Sequence, residues 1–192
     1  MTPPPATGGD ALLQRAIAHF AAHGVGDTSL RALAQAIGTS HRMLIYHFGS
    51  REGLLAAVVD AVESGARETL VRMVDEASAD PDPVEAGLRY WRLVTEDALI
   101  YGPLFFELSS HAMLGLPHAS ELRSRLVTTW LDALVVMWRS RDVPARQART
   151  QARLDLAVAR GLLHDLLLTG DRRGVDAAME QHARDSAARL LG

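Results

Sequence analysis

The chain has 192 residues and no cysteine, which excludes a disulfide framework, a thiolate metal site and a cysteine nucleophile. Apolar residues make up 48% and charged residues 22%, the balance of a folded globular chain rather than a disordered one. All 20 basic residues are arginine, set against 23 acidic ones, and the net charge of −3 gives no global positive field for nucleic acid. Any such function must sit in a local patch.

Residues 1–9 are rich in Pro, Gly and Thr and are expected to form a frayed tail. Beyond them Ala, Leu and Arg dominate, no alternating strand pattern appears, and breakers divide the chain into about nine helices. The first is predicted from about Asp10 to His23, stopped by Gly24. A short second helix follows Thr28 as its N-cap and ends near Ile37, before Gly38. The third starts at Thr39 or Ser40 and ends near Phe48-Gly49; the fourth runs from Ser50 towards Ser78, ahead of Asp80-Pro81-Asp82-Pro83. A fifth covers about Pro83–Ile100, and Gly102-Pro103 is expected to break it from a sixth over Leu104–Leu114. The remaining three cover about Ala119–Arg141, Ala145–Leu168 and Val175–Leu191. Met1-Thr2-Pro3-Pro4-Pro5 has neither the basic start nor the apolar run of a secretory signal. The most apolar stretches, Leu131–Trp138 and Leu162–Leu168, are too short to span a bilayer, so the expectation is a cytoplasmic protein without a membrane partner.

Residues 28–51 carry the most information. Ala34 keeps a helix crossing small, Gly38 can take the positive φ of a tight turn, and Leu44 plugs the angle above Leu30, Leu33 and Ile37. This is the helix-turn-helix pattern, whose second helix enters the DNA major groove. Charge agrees: between Asp27 and Glu52 there is no carboxylate, while Arg31, Arg42 and Arg51 fall inside. A carboxylate facing phosphates would be repelled. Leu13, Ile17 and Phe20 give the first helix an apolar stripe that would cover this unit, and Leu44 and Phe48 are assigned to the core.

Thr28-Ser29-Leu30-Arg31, Ala34, Gly38-Thr39-Ser40, Leu44, Tyr46-His47-Phe48 and Ser50-Arg51-Glu52-Gly53-Leu54-Leu55 resemble the N-terminal domain of TetR-family transcriptional regulators, from about Leu12 to Val59. Ile45-Tyr46 stands where the family commonly has two tyrosines, which puts one phosphate-contacting hydroxyl in question. Arg51 stands where the family often has lysine and keeps the charge. The resemblance implies an all-α fold: a three-helix DNA-binding domain over 10–55 and a helical-bundle domain for ligand binding and dimerisation over 56–192.

Physical roles follow residue by residue. Thr28, Tyr46, His47 and Arg51 are expected to hold phosphates and set register without reading sequence. Ser40, His41, Arg42 and Met43 lie on the first turns of the recognition helix and are the expected base readers. Arg42 leads them, because guanidinium pairs bidentately with guanine. Ser40 also suits an N-cap, Met43 core packing, and Tyr46 a half-buried place between helices.

The remaining chain is acidic on balance. Trp91, Phe105, Phe106, Met113, Trp130 and Met137, with His111 and His164 as polar members, are the candidate lining of an effector pocket. Each large residue is more often core than ligand lining. Leu154, Val158, Gly161, Leu162, Asp165 and Leu168 recur at helical spacing, and Val175, Met179 and His182 give the last helix a weaker stripe. The resemblance implies that these two helices form a four-helix contact in a homodimer.

The function expected is a ligand-responsive DNA-binding repressor, released from a palindromic double-stranded operator by a small, largely apolar effector. The competing enzymatic reading rests on Glu107 and His111 at i, i+4 with Glu121 nearby. It lacks the paired Glu-x-x-His motifs of di-iron bundles, HExxH, a phosphate loop and a nucleophile elbow. No catalytic residue, metal or cofactor is therefore expected, and a pure interaction module is disfavoured by the carboxylate-free stretch.

Overall fold

The computed structural model describes residues 8–79 and 82–191, and every regular element among them is helical. These are α1 (Gly8–His23), α2 (Leu30–Ala36), α3 (His41–Phe48), α4 (Arg51–Ala79) and α5 (Pro83–Met113). A 3-10 turn (Pro117–Ala119), α6 (Ser120–Arg139), α7 (Ala145–Thr169) and α8 (Arg172–Leu191) follow. The expected tail at residues 1–7 lies outside the described residues, and Gly8 and Gly9 already belong to α1.

The chain packs into two units. One runs to Ser64 and takes up Pro103–Ser124; the other holds Gly65–Gly102 and the chain from Arg125 on.

In the first unit, short polar or small residues end each helix. Gly24 takes φ +75° and its N–H bonds the Phe20 carbonyl at 2.8 Å, stopping α1. The N-cap of α2 is Ser29, not Thr28: Ser29 Oγ accepts the Ala32 N–H at 3.2 Å. At the other end Gly38 takes φ +68°, and the Thr39 N–H bonds the Ala34 carbonyl at 2.9 Å, a Schellman closure that turns the chain into α3. Arg15 of α1 adds a bond from Nη1 to the Ile37 carbonyl at 2.9 Å. Buried residues of this unit include Leu12, Ala16, Ile17 and Phe20 of α1, Leu30, Leu33 and Ala34 of α2, and Leu44 of α3. Leu13 is only half-buried, so the stripe of α1 is centred on Leu12 and Ala16 rather than on Leu13. Phe48 is likewise half-buried rather than a core residue, because it ends α3 beside the exposed Gly49 turn.

The expected break at Gly102-Pro103 does not occur; α5 continues through Pro103. Proline inside a helix costs about 3 kcal/mol. Leu104, Leu108 and Ala112 beyond it are each buried, and a buried leucine contributes about 1.5–3 kcal/mol. Gly102 is there for space rather than for a turn: a Cβ on it would stand 2.7 Å from Leu167 Cδ1 of α7. Two of the nine expected helices are thus one.

In the second unit Trp91, Leu166 and Val175 form one buried cluster, and Leu134, Ala152 and Leu156 another. A polar network crosses α6, α7 and α8. Asp155 accepts Trp138 Nε1–H at 2.6 Å and Gln151 Nε2–H at 2.6 Å, with His182 Nε2 at 2.8 Å. Gln151 also bonds Ser186 Oγ at 2.9 Å, and its Oε1 accepts from Arg189 at 2.6 Å.

Candidate nucleic-acid interface

Helix α3 is divided along its length. Leu44 is fully buried, while His41, Arg42, Ile45 and Tyr46 are exposed on the opposite face. Met43, at 40% exposure, is not part of the core, and Tyr46, at 78%, is not half-buried. Ile45 was legible only as a departure from the family pattern, yet it lies on the same exposed face as Arg42. An aliphatic group there suits contact with a thymine methyl.

Ser40 is the N-cap of α3: its Oγ accepts the Met43 N–H at 3.2 Å, leaving the hydroxyl proton free to donate. His47 is half-buried because its ring lies over the start of α1; a Cβ on Gly9 would meet His47 Nδ1 at 3.1 Å. Its ring also stands edge-on to Tyr46, with centroids 5.0 Å apart. At the end of α3, Gly49 takes φ +73°, and Ser50 Oγ accepts the Gly53 N–H at 3.1 Å to start α4.

Arg51 is tied into the scaffold. Its Nε donates to the Thr28 carbonyl at 3.0 Å and its Nη2 to the Gly26 carbonyl. The half-buried Thr28 and Arg51 are therefore brought together, and both flank the loop between α1 and α2. Two of the five guanidinium N–H donors are used, leaving three for a phosphate. Glu107 holds the same loop from α5, accepting the Val25 and Gly26 N–H groups at 2.8 and 3.0 Å. Sequence reasoning missed this role, and no local signal announces it.

The model of the family described as bacterial regulatory proteins, tetR family, matches residues 12–58. The HTH-type transcriptional regulatory protein RaaS of Mycobacterium tuberculosis is 30% identical over 174 residues, covering 90% of this chain and 77% of that protein. The chain belongs to the TetR family. It is a DNA-binding transcriptional regulator.

A transcriptional regulator of Rhodococcus sp. Rha1 shares the fold of this TetR-family chain with a TM-score of 0.80 at 18% identity, over 96% of this chain and 98% of that one. A regulator of Saccharomonospora viridis, solved in complex with choline, does so at 0.69 and 21%, over 94% and 95%.

The candidate effector residues of this TetR-family regulator fall in different units. In the first, the Phe105 and Phe106 rings meet edge-on at 5.5 Å, and His111 Nδ1 lies 3.0 Å from His118 Nε2. Met113 is 77% exposed. In the second, Trp91 is buried with its Nε1–H bonded to Asp176 at 2.6 Å, Trp130 and Met137 pack against the Leu134 cluster, and His164 is exposed. Of the candidate interface residues, Leu154, Gly161, Asp165 and Leu168 share an exposed face of α7, with Val158 and Leu162 half-buried beside it. Val175 is 1% exposed, inside the chain's own core with Trp91. Met179 packs beside that cluster, and His182 is paired with Asp155.

The residues of the enzymatic reading are otherwise engaged. Glu107 binds the loop, His111 faces His118, and the Glu121 side chain lies outside the described residues. Among the described residues no group of three or more His, Asp or Glu side chains is placed to hold a metal, and no helix is long and apolar enough to cross a membrane.

Proposed function

We propose that this TetR-family regulator is a homodimeric repressor released from a palindromic operator by a small, largely apolar effector. Residues 10–55 form its DNA-reading part and 56–192 its effector and dimerisation part. One observation carries the reading: α3 turns Leu44 inward and His41, Arg42, Ile45 and Tyr46 outward, in a stretch that holds no carboxylate between Asp27 and Glu52. Ser40, His41, Arg42 and Met43 read bases; Thr28, Tyr46, His47 and Arg51 hold phosphates.

The exposed α7 face of Leu154, Gly161, Asp165 and Leu168 supports a two-helix contribution to a dimer, with the half-buried Val158 and Leu162 beside it and the half-buried Met179 and His182 from α8. Val175 drops out of that set, since it is buried within the chain. Choline in the Saccharomonospora viridis neighbour supports a small-molecule effector for a protein of this fold. Of the aromatic candidates, Trp91 and Trp130 of the second unit are the residues its apolar part would meet. An effector that favours the conformer with misplaced recognition helices weakens operator binding by its affinity difference between the two conformers.

The test is a mobility shift on DNA flanking the protein's own gene. Arg42→Ala should reduce discrimination between this fragment and random sequence, whereas Arg51→Ala should weaken binding evenly across sequences. Unchanged binding in both variants would refute the site assignment.

A further inference from the structure

Buried polar side chains described in the second unit have partners: Trp91 Nε1–H has Asp176, Trp138 Nε1–H has Asp155, and Gln151 has Asp155 and Ser186. Among the described residues the exception is Tyr90, whose phenolic oxygen is buried with no hydrogen-bond partner. The ring packs from α5 against the apolar cluster of Leu134, Ala152 and Leu156, against which Trp130 and Met137 also pack. An unmet hydroxyl in such surroundings costs free energy that an apolar phenylalanine would not.

We infer that Tyr90 is the polar anchor of the effector site, and that the effector is an uncharged, mainly apolar molecule presenting a carbonyl or ether oxygen to the phenolic O–H. The inference rests on the effector-released reading above.

The surroundings of Tyr90 select this ligand class. The unmet atom is an O–H, whose proton needs an acceptor; a quaternary ammonium offers none. Burial, and secondly the Asp97 carboxylate, push the phenol well above its ordinary range, so it stays a neutral donor at physiological pH. The same apolar wall and the same Asp97 charge disfavour an anion. The adaptable Met137 and the half-buried Trp130, packed against the same cluster, are able to adjust around a flat or branched body.

The probes are four molecules of similar size: propiophenone, propylbenzene, hydrocinnamate and phenyltrimethylammonium, titrated by calorimetry into the full-length protein. Propiophenone should bind about tenfold more tightly than propylbenzene, the effect of one hydrogen bond in a dry site, and more tightly than either ion. In Tyr90→Phe that advantage should vanish, while propylbenzene binds unchanged. The ligand-free Tyr90→Phe protein should melt at the same temperature or higher, since it loses an unmet hydroxyl rather than a bond. The inference is overturned by a ketone that binds no better than the hydrocarbon or not at all. It is equally overturned by an advantage that survives Tyr90→Phe, by tighter binding of either ion, or by a lower melting point in the ligand-free variant. The two readings separate on DNA. If propiophenone binds through Tyr90 yet leaves operator affinity unchanged, effector release fails and the anchor stands. If one of the ions releases the operator equally from wild type and Tyr90→Phe, effector release stands and the anchor fails.

Discussion

The Glu107 carboxylate holds the Val25 backbone N–H at 2.8 Å, across 82 residues of chain. Its other oxygen takes the Gly26 N–H, while Arg51 of α4 takes the carbonyls of Gly26 and Thr28. The α1–α2 loop, which lacks a ladder of its own, thus has peptide groups of both polarities satisfied by two charged side chains. Gly24 makes room for one of them, since a Cβ there would approach Glu107 Oε2 to 3.3 Å.

Glu107→Ala leaves the buried Val25 N–H unpaired. The expected loss is about 1–2 kcal/mol of stability in urea melts, towards the low side for bonds to a charged group because the Gly26 half is exposed. Glu107→Gln keeps an acceptor and should lose less. Equal midpoints for wild type and Glu107→Ala would show that the loop does not need the clamp.

Arg51 can be dissected by charge and shape. Lysine keeps the charge but cannot span two carbonyls with a planar fork. Arg51→Lys should therefore retain the salt dependence of DNA binding and still lower the melting temperature. A variant that melts like wild type would leave Arg51 a phosphate contact alone.

Arg42 and Leu44 sit two residues apart on α3 and should separate function from stability. Arg42→Ala, on the exposed face, should leave the urea midpoint unchanged and relax discrimination at one base pair by about 1–3 kcal/mol, read by anisotropy titration. Leu44→Ala empties a fully buried site and should cost about 2–5 kcal/mol of stability.

Gly53 touches backbone where a side chain does not fit: its Cβ would overlap the Phe48 carbonyl oxygen at the end of α3. Gly53→Ala should open the α3–α4 turn at a cost of about 1–3 kcal/mol and weaken operator binding. Gly38→Ala meets no close atom, so its cost of about 1–2 kcal/mol comes from the positive φ alone. Thermal melts of the two variants, compared with wild type, check both figures.

Stability should fall in mild acid. Burial first, then His111 and Arg51, hold His118 below its ordinary 6.5, with Glu52 opposing. His19 is lowered too, by burial and then by His23. A proton on either ring favours the unfolded chain, so stability is full above pH 6.5 and declines as the pH drops from there towards the folded-state values. Urea midpoints measured across that range should decline, and His118→Gln should flatten part of the slope while His19 retains the rest. An unchanged slope in the variant would remove His118 from the account.

Much of the reading head is written locally. Gly24, Gly38 and Gly49 mark helix ends because the chain there needs a backbone few side chains accept, and all three take positive φ. Leu44 inside and Arg42 outside follow from helical period alone. Other features depend on partners far along the chain. Gly102-Pro103 reads as a break, yet α5 continues, because burial beyond the proline and the approach of Leu167 are invisible to a local rule. Glu107 and His111 read as a catalytic pair at i, i+4, but the fold spends them on the Val25 loop and on His118. Tyr90 was one aromatic among many until packing sealed its hydroxyl among aliphatic neighbours. Sequence by itself determined the helical class, the turn at Gly38 and the family, since these rest on backbone conformation and short-range spacing. Which polar group meets which partner was decided only by tertiary structure, because a hydrogen bond depends on ångström distances between residues that the chain keeps far apart.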